Sequence, residues 1–213
     1  MATAIVYTKS GGGKTVNTSR VEGKTFLIDS DASSVVLNNF KRPDVEIRKI
    51  SSVADFMAAF DEAASAGKYQ NVIVDNVTDL IDRWLLELGA SGKNFGNPAI
   101  QDYQTVYNGI KRLVRKAADC GVNVIMNFWQ DTYVVTNPDG TQTSMLSPKM
   151  PQKILENICG LCNVVAHIEV FESEDKKVWF YNLTGTNNLY AKDQLFCRKT
   201  CMPEDIFNGK GKK

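Results

Sequence analysis

The sequence predicts an α/β fold built on a mainly parallel sheet with helices on both faces. Three observations predict it. Ala4-Ile5-Val6-Tyr7, Phe26-Leu27-Ile28-Asp29, Asn71-Val72-Ile73-Val74-Asp75 and Val122 to Trp129 are short, near-continuous apolar runs, the pattern of strands buried on both faces. Helical stretches with one apolar face separate most of them. The chain has 213 residues, 43% hydrophobic and 23% charged, enough to bury a core without a disulfide or metal staple.

Each element has its own signal. After the first run, Val16 to Gly23 is short and polar, so any helix there is brief. Ser51 to Ala66 is an amphipathic helix: Ser52 and Asp55 have capping-box spacing, Val53, Phe56, Met57, Phe60, Ala63 and Ala64 share a face, and Gly67 ends it. Thr78 to Leu88 is helical, with Leu80, Ile81, Trp84, Leu85 and Leu88 in register. Gly89 to Pro98 is a glycine-rich loop. Gln101 to Ala118 is a long helix stopped by Gly121. Tyr133 to Thr136 and Thr141 to Ser144 flank Asn137-Pro138-Asp139-Gly140 and read as a hairpin. Pro151 opens a helix that runs to Leu161. Val164 to Phe171 and Val178 to Leu183 form a closing antiparallel pair. Residues 1–207 make one domain, and the basic end Asn208 to Lys213 is expected to be a mobile tail.

Composition narrows the function. Lys and Arg number 25 against 24 Asp and Glu, a net charge of +1, so any nucleic-acid contact must come from a local patch. No apolar run approaches the ~20 residues of a membrane span. The N-terminus lacks the basic region and cleavage site of a signal peptide, which points to the cytoplasm. The five cysteines are Cys120, Cys159, Cys162, Cys197 and Cys201. An odd count fits free thiols in a reducing compartment. The pairs Cys159/Cys162 and Cys197/Cys201 also have spacings a zinc site uses, and both readings stay open. His167, the one histidine, lies in a strand and reads as structural.

The strongest chemical signal is Thr8-Lys9-Ser10-Gly11-Gly12-Gly13-Lys14-Thr15, between a buried strand and a helix. Glycines let backbone N–H groups turn inward around phosphates. Lys14 is placed to reach the β- and γ-phosphates of ATP, and the Thr15 hydroxyl to ligate Mg²⁺. Thr8 stands where the full motif has its first glycine. Asp75, at a strand end, is the matching second acid for the metal shell.

With these motifs placed, the order of elements resembles the RecA core over about residues 4–185. The resemblance implies a RecA-like P-loop ATPase that binds between subunits, hence a homo-oligomer, and a chain without RecA's N-terminal polymerising segment. Asp31, in Phe26 to Asp31, then takes the place of the water-activating glutamate, and its shorter reach implies slow hydrolysis. Gln130, in Asn127-Phe128-Trp129-Gln130, takes the place of the γ-phosphate sensor. Short cores of this kind resemble phage P-loop proteins, some of them single-strand annealing proteins that work beside a single-strand-binding protein in the host cytoplasm. By that likeness Lys192, in Ala191-Lys192-Asp193-Gln194, reaches a neighbouring subunit's phosphates. The chain also resembles the deviant Walker A group that includes ParA and MinD. There Lys9 would cross a dimer interface and the protein would be a nucleotide-dependent switch.

The resemblance places DNA-facing loops at Gly89–Pro98 and Asp131–Pro151. Lys93, Tyr133 and Lys149 in or beside them, with Lys210, Lys212 and Lys213 in the tail, are the candidates for holding single-stranded DNA by phosphate contact and stacking. The bland alternative is solvated loops and a solubilising tail.

Overall fold

The apolar runs become strands, and the polar stretches between them mostly wind into helices. The computed structural model describes residues 1–212 except 41, 66, 137–138 and 174–175. In chain order the strands are β1 (Thr3–Thr8), β2 (Thr25–Asp29), β3 (Val45–Lys49), β4 (Asn71–Asp75), β5 (Asn123–Thr136), β6 (Gln142–Pro148), β7 (Val164–Ser173), β8 (Lys176–Asn182), β9 (Lys192–Asp193) and β10 (Thr200–Cys201). The helices are α1 (Lys14–Thr18), α2 (Val53–Ser65), α3 (Val77–Ser91), α4 (Ile100–Asp119) and α5 (Gln152–Leu161), with 3₁₀ segments at Ser33–Asn39 and Pro203–Asp205.

All belong to one sheet of order β10-β8-β7-β1-β5-β4-β2-β3, with β6 on β5 and β9 on β7. The block β7-β1-β5-β4-β2-β3 is parallel, and β8 closes it antiparallel against β7. This is the mainly parallel core with an antiparallel C-terminal pair that the sequence predicts. Alternation along each strand splits the core in two. Ile5, Tyr7, Ile28, Val74 and Phe128 pack beneath α2, α3, α4 and α5. Ala4, Val6, Leu27, Ile73 and Ile125 face the other way, toward Val16 of α1 and the segment 33–39.

Two elements differ from expectation. β3 carries Glu46, Arg48 and Lys49 and is half exposed at the sheet edge, so no apolar run announces it. β5 does not stop at Trp129. It runs on for 14 residues and pairs with β6 from Gln130–Pro148 to Thr136–Gln142, so strand and hairpin are one element. The expected hairpin tip at Asn137-Pro138 lies outside the described residues.

The C-terminal end is tied down, against the expected mobile tail. Lys212 N–H donates to Thr200 O at 3.0 Å and Lys199 N–H to Lys212 O at 2.7 Å. Arg198 is the clamp. Its guanidinium donates to the carbonyls of Asp205, Ile206 and Lys210 and pairs with Asp193 at 2.7 Å, with both side chains fully buried. Lys213 lies outside the described residues. No helix among the described residues is long and apolar enough to cross a membrane.

Candidate functional site

The P-loop spans from the end of β1 into α1. Gly13, the residue before α1, has φ 85°, a left-handed turn that glycine adopts without cost. Gly12 packs so tightly that a Cβ there would stand 2.5 Å from Thr8 Cγ2. The loop is therefore a close-wound cradle of backbone, the shape phosphate oxygens need. Thr8, which departs from the glycine motif, packs against this turn.

Lys14 is buried, and its Nζ donates to Lys9 O at 3.1 Å and Thr8 O at 3.4 Å. Burial lowers its pKa from the usual lysine value, while the charges of Asp75 and Asp31 oppose that shift. Thr15 Oγ1 donates to Asp75 Oδ2 at 2.5 Å, and Ser33 Oγ donates to the same oxygen at 3.1 Å. Asp75 is 1% exposed. Burial raises its pKa, while the Thr15 hydroxyl, the Asn127 amide and the Ser33 hydroxyl favour its charge. Two hydroxyls on one carboxylate form an oxygen donor set suited to a hard divalent cation. Asp31 lines the same cleft of about 230 Å³ with Lys14, Thr15 and Asp75, and accepts from Ser33 N–H at 3.0 Å and from the Asn76 amide. The acids arrive there because β2 and β4 are neighbours, with Asp29 opposite Asp75 at their C-terminal ends. Open parallel sheets place ligands at that edge.

Of the residues marked in the sequence, Ser10, Gly11, Gly13, Lys14, Thr15, Asp31 and Asp75 converge on this cleft. Lys9 contributes its carbonyl to Lys14 while its side chain is exposed and is not among the lining residues.

Gln130 is a correction. Its Oε1 meets His167 Nε2 at 2.9 Å, on the face of β5 shared with Phe128, and it does not line the cleft. Alternation is the reason: Asn127 and Trp129 turn toward α1, and Gln130 turns away. Trp129 lines the cleft instead, and the buried Asn127 donates to Thr18 Oγ1 at 3.0 Å. Ser33 escaped because it follows the strand by four residues in a segment with no apolar period.

Lys192 does not join the cleft of its own chain. It pairs with Val165, near the start of β7, and donates to Gly160 O at 3.3 Å, at the sheet edge away from this chain's P-loop. Its neighbour Asp193 holds Arg198.

Among the DNA candidates, Lys93 is exposed in the loop between α3 and α4. Tyr133 is not free to stack. It packs against the core, with its hydroxyl on Met145 Sδ at 3.0 Å. Lys149 lies over the Trp129 ring at 5.5 Å. Residues around Asn208 share a cleft with Met1, Asn71 and Asn123, the N-terminal edge of the strands, so Lys210 and Lys212 do not join the loops on one surface. Cys159, Cys162 and Cys201 are buried and Cys197 is exposed, and no cluster able to hold a metal exists among the described residues.

A sequence model described as AAA domain matches residues 1–195. Among curated proteins, none matches the chain by sequence. Solved structures similar to it include a KaiC-like protein from Pyrococcus horikoshii, with 12% identity, a TM-score of 0.49 and coverage of 84% of this chain and 76% of that one. Another is the flagellar accessory protein FlaH from Methanocaldococcus jannaschii, with 10% identity, a TM-score of 0.47 and coverage of 93% and 83%.

Proposed function

We propose, from the premise that this chain belongs to the AAA domain family and is a P-loop ATPase, that it hydrolyses ATP at the cleft described above and uses the cycle to act on single-stranded DNA. The observation that carries the ATPase site is the convergence of Lys14, Thr15, Asp75 and Asp31 at the C-terminal edge of a parallel sheet.

In this reading the P-loop backbone holds the phosphates and Lys14 neutralises their charge. Thr15 and Asp75 hold Mg²⁺, which when bound offsets negative charge on the phosphates. Asp31 orients and deprotonates water. Its carboxylate is set by Ser33 N–H on one oxygen and the Asn76 amide on the other, which fixes its direction while each oxygen keeps a second lone pair for water. Trp129 closes one wall against solvent.

The DNA part rests on what surrounds that edge. β5 continues from the cleft wall at Trp129 into the β5–β6 hairpin. α4 ends at Asp119, just before β5 starts, so its N-terminus and the loop with Lys93 and the 98% exposed Phe95 point toward the same edge as the P-loop. Exposed aromatics beside cations suit stacking on bases. Recombination or annealing, with a homo-oligomer and a single-strand-binding protein as partner, is the role that fits.

Two variants test the site. Lys14→Ala should reduce ATP affinity at least tenfold. Asp31→Asn should bind ATP within about threefold of wild type while turnover falls about 10²-fold or more. Equal turnover in Asp31→Asn would remove Asp31 from the chemistry.

A further inference from the structure

We propose that a cavity beside the P-loop takes the purine ring of the nucleotide and reads its shape but not its exocyclic groups, so that ATP and GTP bind alike. This rests on the ATPase reading above and adds the base specificity to it. The cavity measures about 490 Å³. Gly13 and Val16 line both it and the phosphate cleft, so a nucleotide held by its phosphates leads directly into it. Its walls include Trp179 of β8, Val36 and Phe40. The indole lies beside the loop itself, with Nε1 3.6 Å from the place a Gly13 Cβ would occupy. A flat aromatic ring is the ligand that an indole and aliphatic walls favour.

Distinguishing adenine from guanine takes polar groups aimed at the 6-position and left for the base to pair. Among the described residues, the polar side chains bordering this cavity are directed elsewhere. Asn17 Nδ2 donates to Gly13 O at 2.8 Å and Ser19 Oγ to Val16 O at 2.8 Å. Arg20 pairs with Glu204 at 2.9 Å. Arg42 forks onto Asp44 at 3.2 and 3.0 Å. The indole N–H can only donate, and both purines offer ring-nitrogen acceptors.

The test is equilibrium binding of ATP, GTP and inorganic tripolyphosphate to the full chain with Mg²⁺. ATP and GTP should agree within about threefold. Trp179→Ala should weaken both about tenfold or more and leave tripolyphosphate nearly unchanged, the size of one lost stacking partner. Trp179→Phe should retain most of the affinity. If Trp179→Ala loses tripolyphosphate too, Phe40→Ala decides: its side chain is 47% exposed and can be cut without opening the core. Loss of ATP and GTP with tripolyphosphate kept supports the cavity. GTP binding a hundredfold weaker than ATP would overturn the shape-only reading. Full ATP affinity in Trp179→Ala, or in Phe40→Ala where that variant decides, with Lys14→Ala still defective, would overturn the location and leave the ATPase site standing. Failure of the wild-type chain to bind ATP or tripolyphosphate would overturn both.

Discussion

Asp75 shows how a single residue is held for function at the expense of stability. It is 1% exposed, and burial keeps its carboxyl above the ordinary carboxylate range. The folded state therefore binds its proton more tightly than the unfolded chain, whose Asp titrates near ~3.9. That preference stabilises the fold below about pH 4 and is lost as pH rises through the raised folded value. Asp75→Asn should then melt higher than wild type at pH 7 without nucleotide, with a gap that narrows toward pH 4. Thermal melts at the two pH values check this, and a gap that stays constant would contradict it. The same residue was legible in the sequence because a lone acid ends an apolar strand. Asn127 and Ser33 were not, because nothing in their own neighbourhoods marks them. They matter only through the register that brings β4, β5 and the 33–39 segment together.

At the level of elements, sequence periodicity was a good guide wherever packing follows it. α4 is the clearest case, with Val106, Ile110, Leu113 and Val114 all buried. Its contact with α3 has a sharper constraint that periodicity does not reveal. A Cβ on Gly109 would stand 2.1 Å from Trp84 Cη2, so this glycine makes room for an indole. Gly109→Ala should destabilise by about 1–3 kcal/mol in denaturant titration despite alanine's better helix propensity. Adding Trp84→Leu should recover part of the loss, and additive effects would show that the two residues do not meet. β5 was only half legible. Its buried half reads as a parallel strand and its exposed half as a hairpin arm, and the sequence has no signal that the two are continuous. The Gln130 assignment failed for a related reason: motif likeness locates a residue along a strand but not its face.

Over the whole molecule, the sheet order separates two regions that the sequence alone had merged. The P-loop, the α3–α4 loop and the β5–β6 hairpin gather at the C-terminal edge of the strands. The basic C-terminal residues are fastened at the other edge through Arg198 and Asp193. Asp193→Ala leaves that guanidinium buried without its charge partner and should cost about 3–5 kcal/mol, read as a lowered denaturant midpoint. Unchanged stability would mean the C-terminal segment is not a structural clamp. Topology of this kind depends on long-range pairing such as β1 with β7, and short motifs do not encode it. The measurement that tests the central claim most directly is steady-state ATP turnover by the full chain with Mg²⁺, with and without single-stranded DNA, using Lys14→Ala as the blank. The prediction is slow turnover that DNA accelerates and that Lys14→Ala abolishes. Turnover that survives Lys14→Ala, or a wild-type chain with none under either condition, would contradict it.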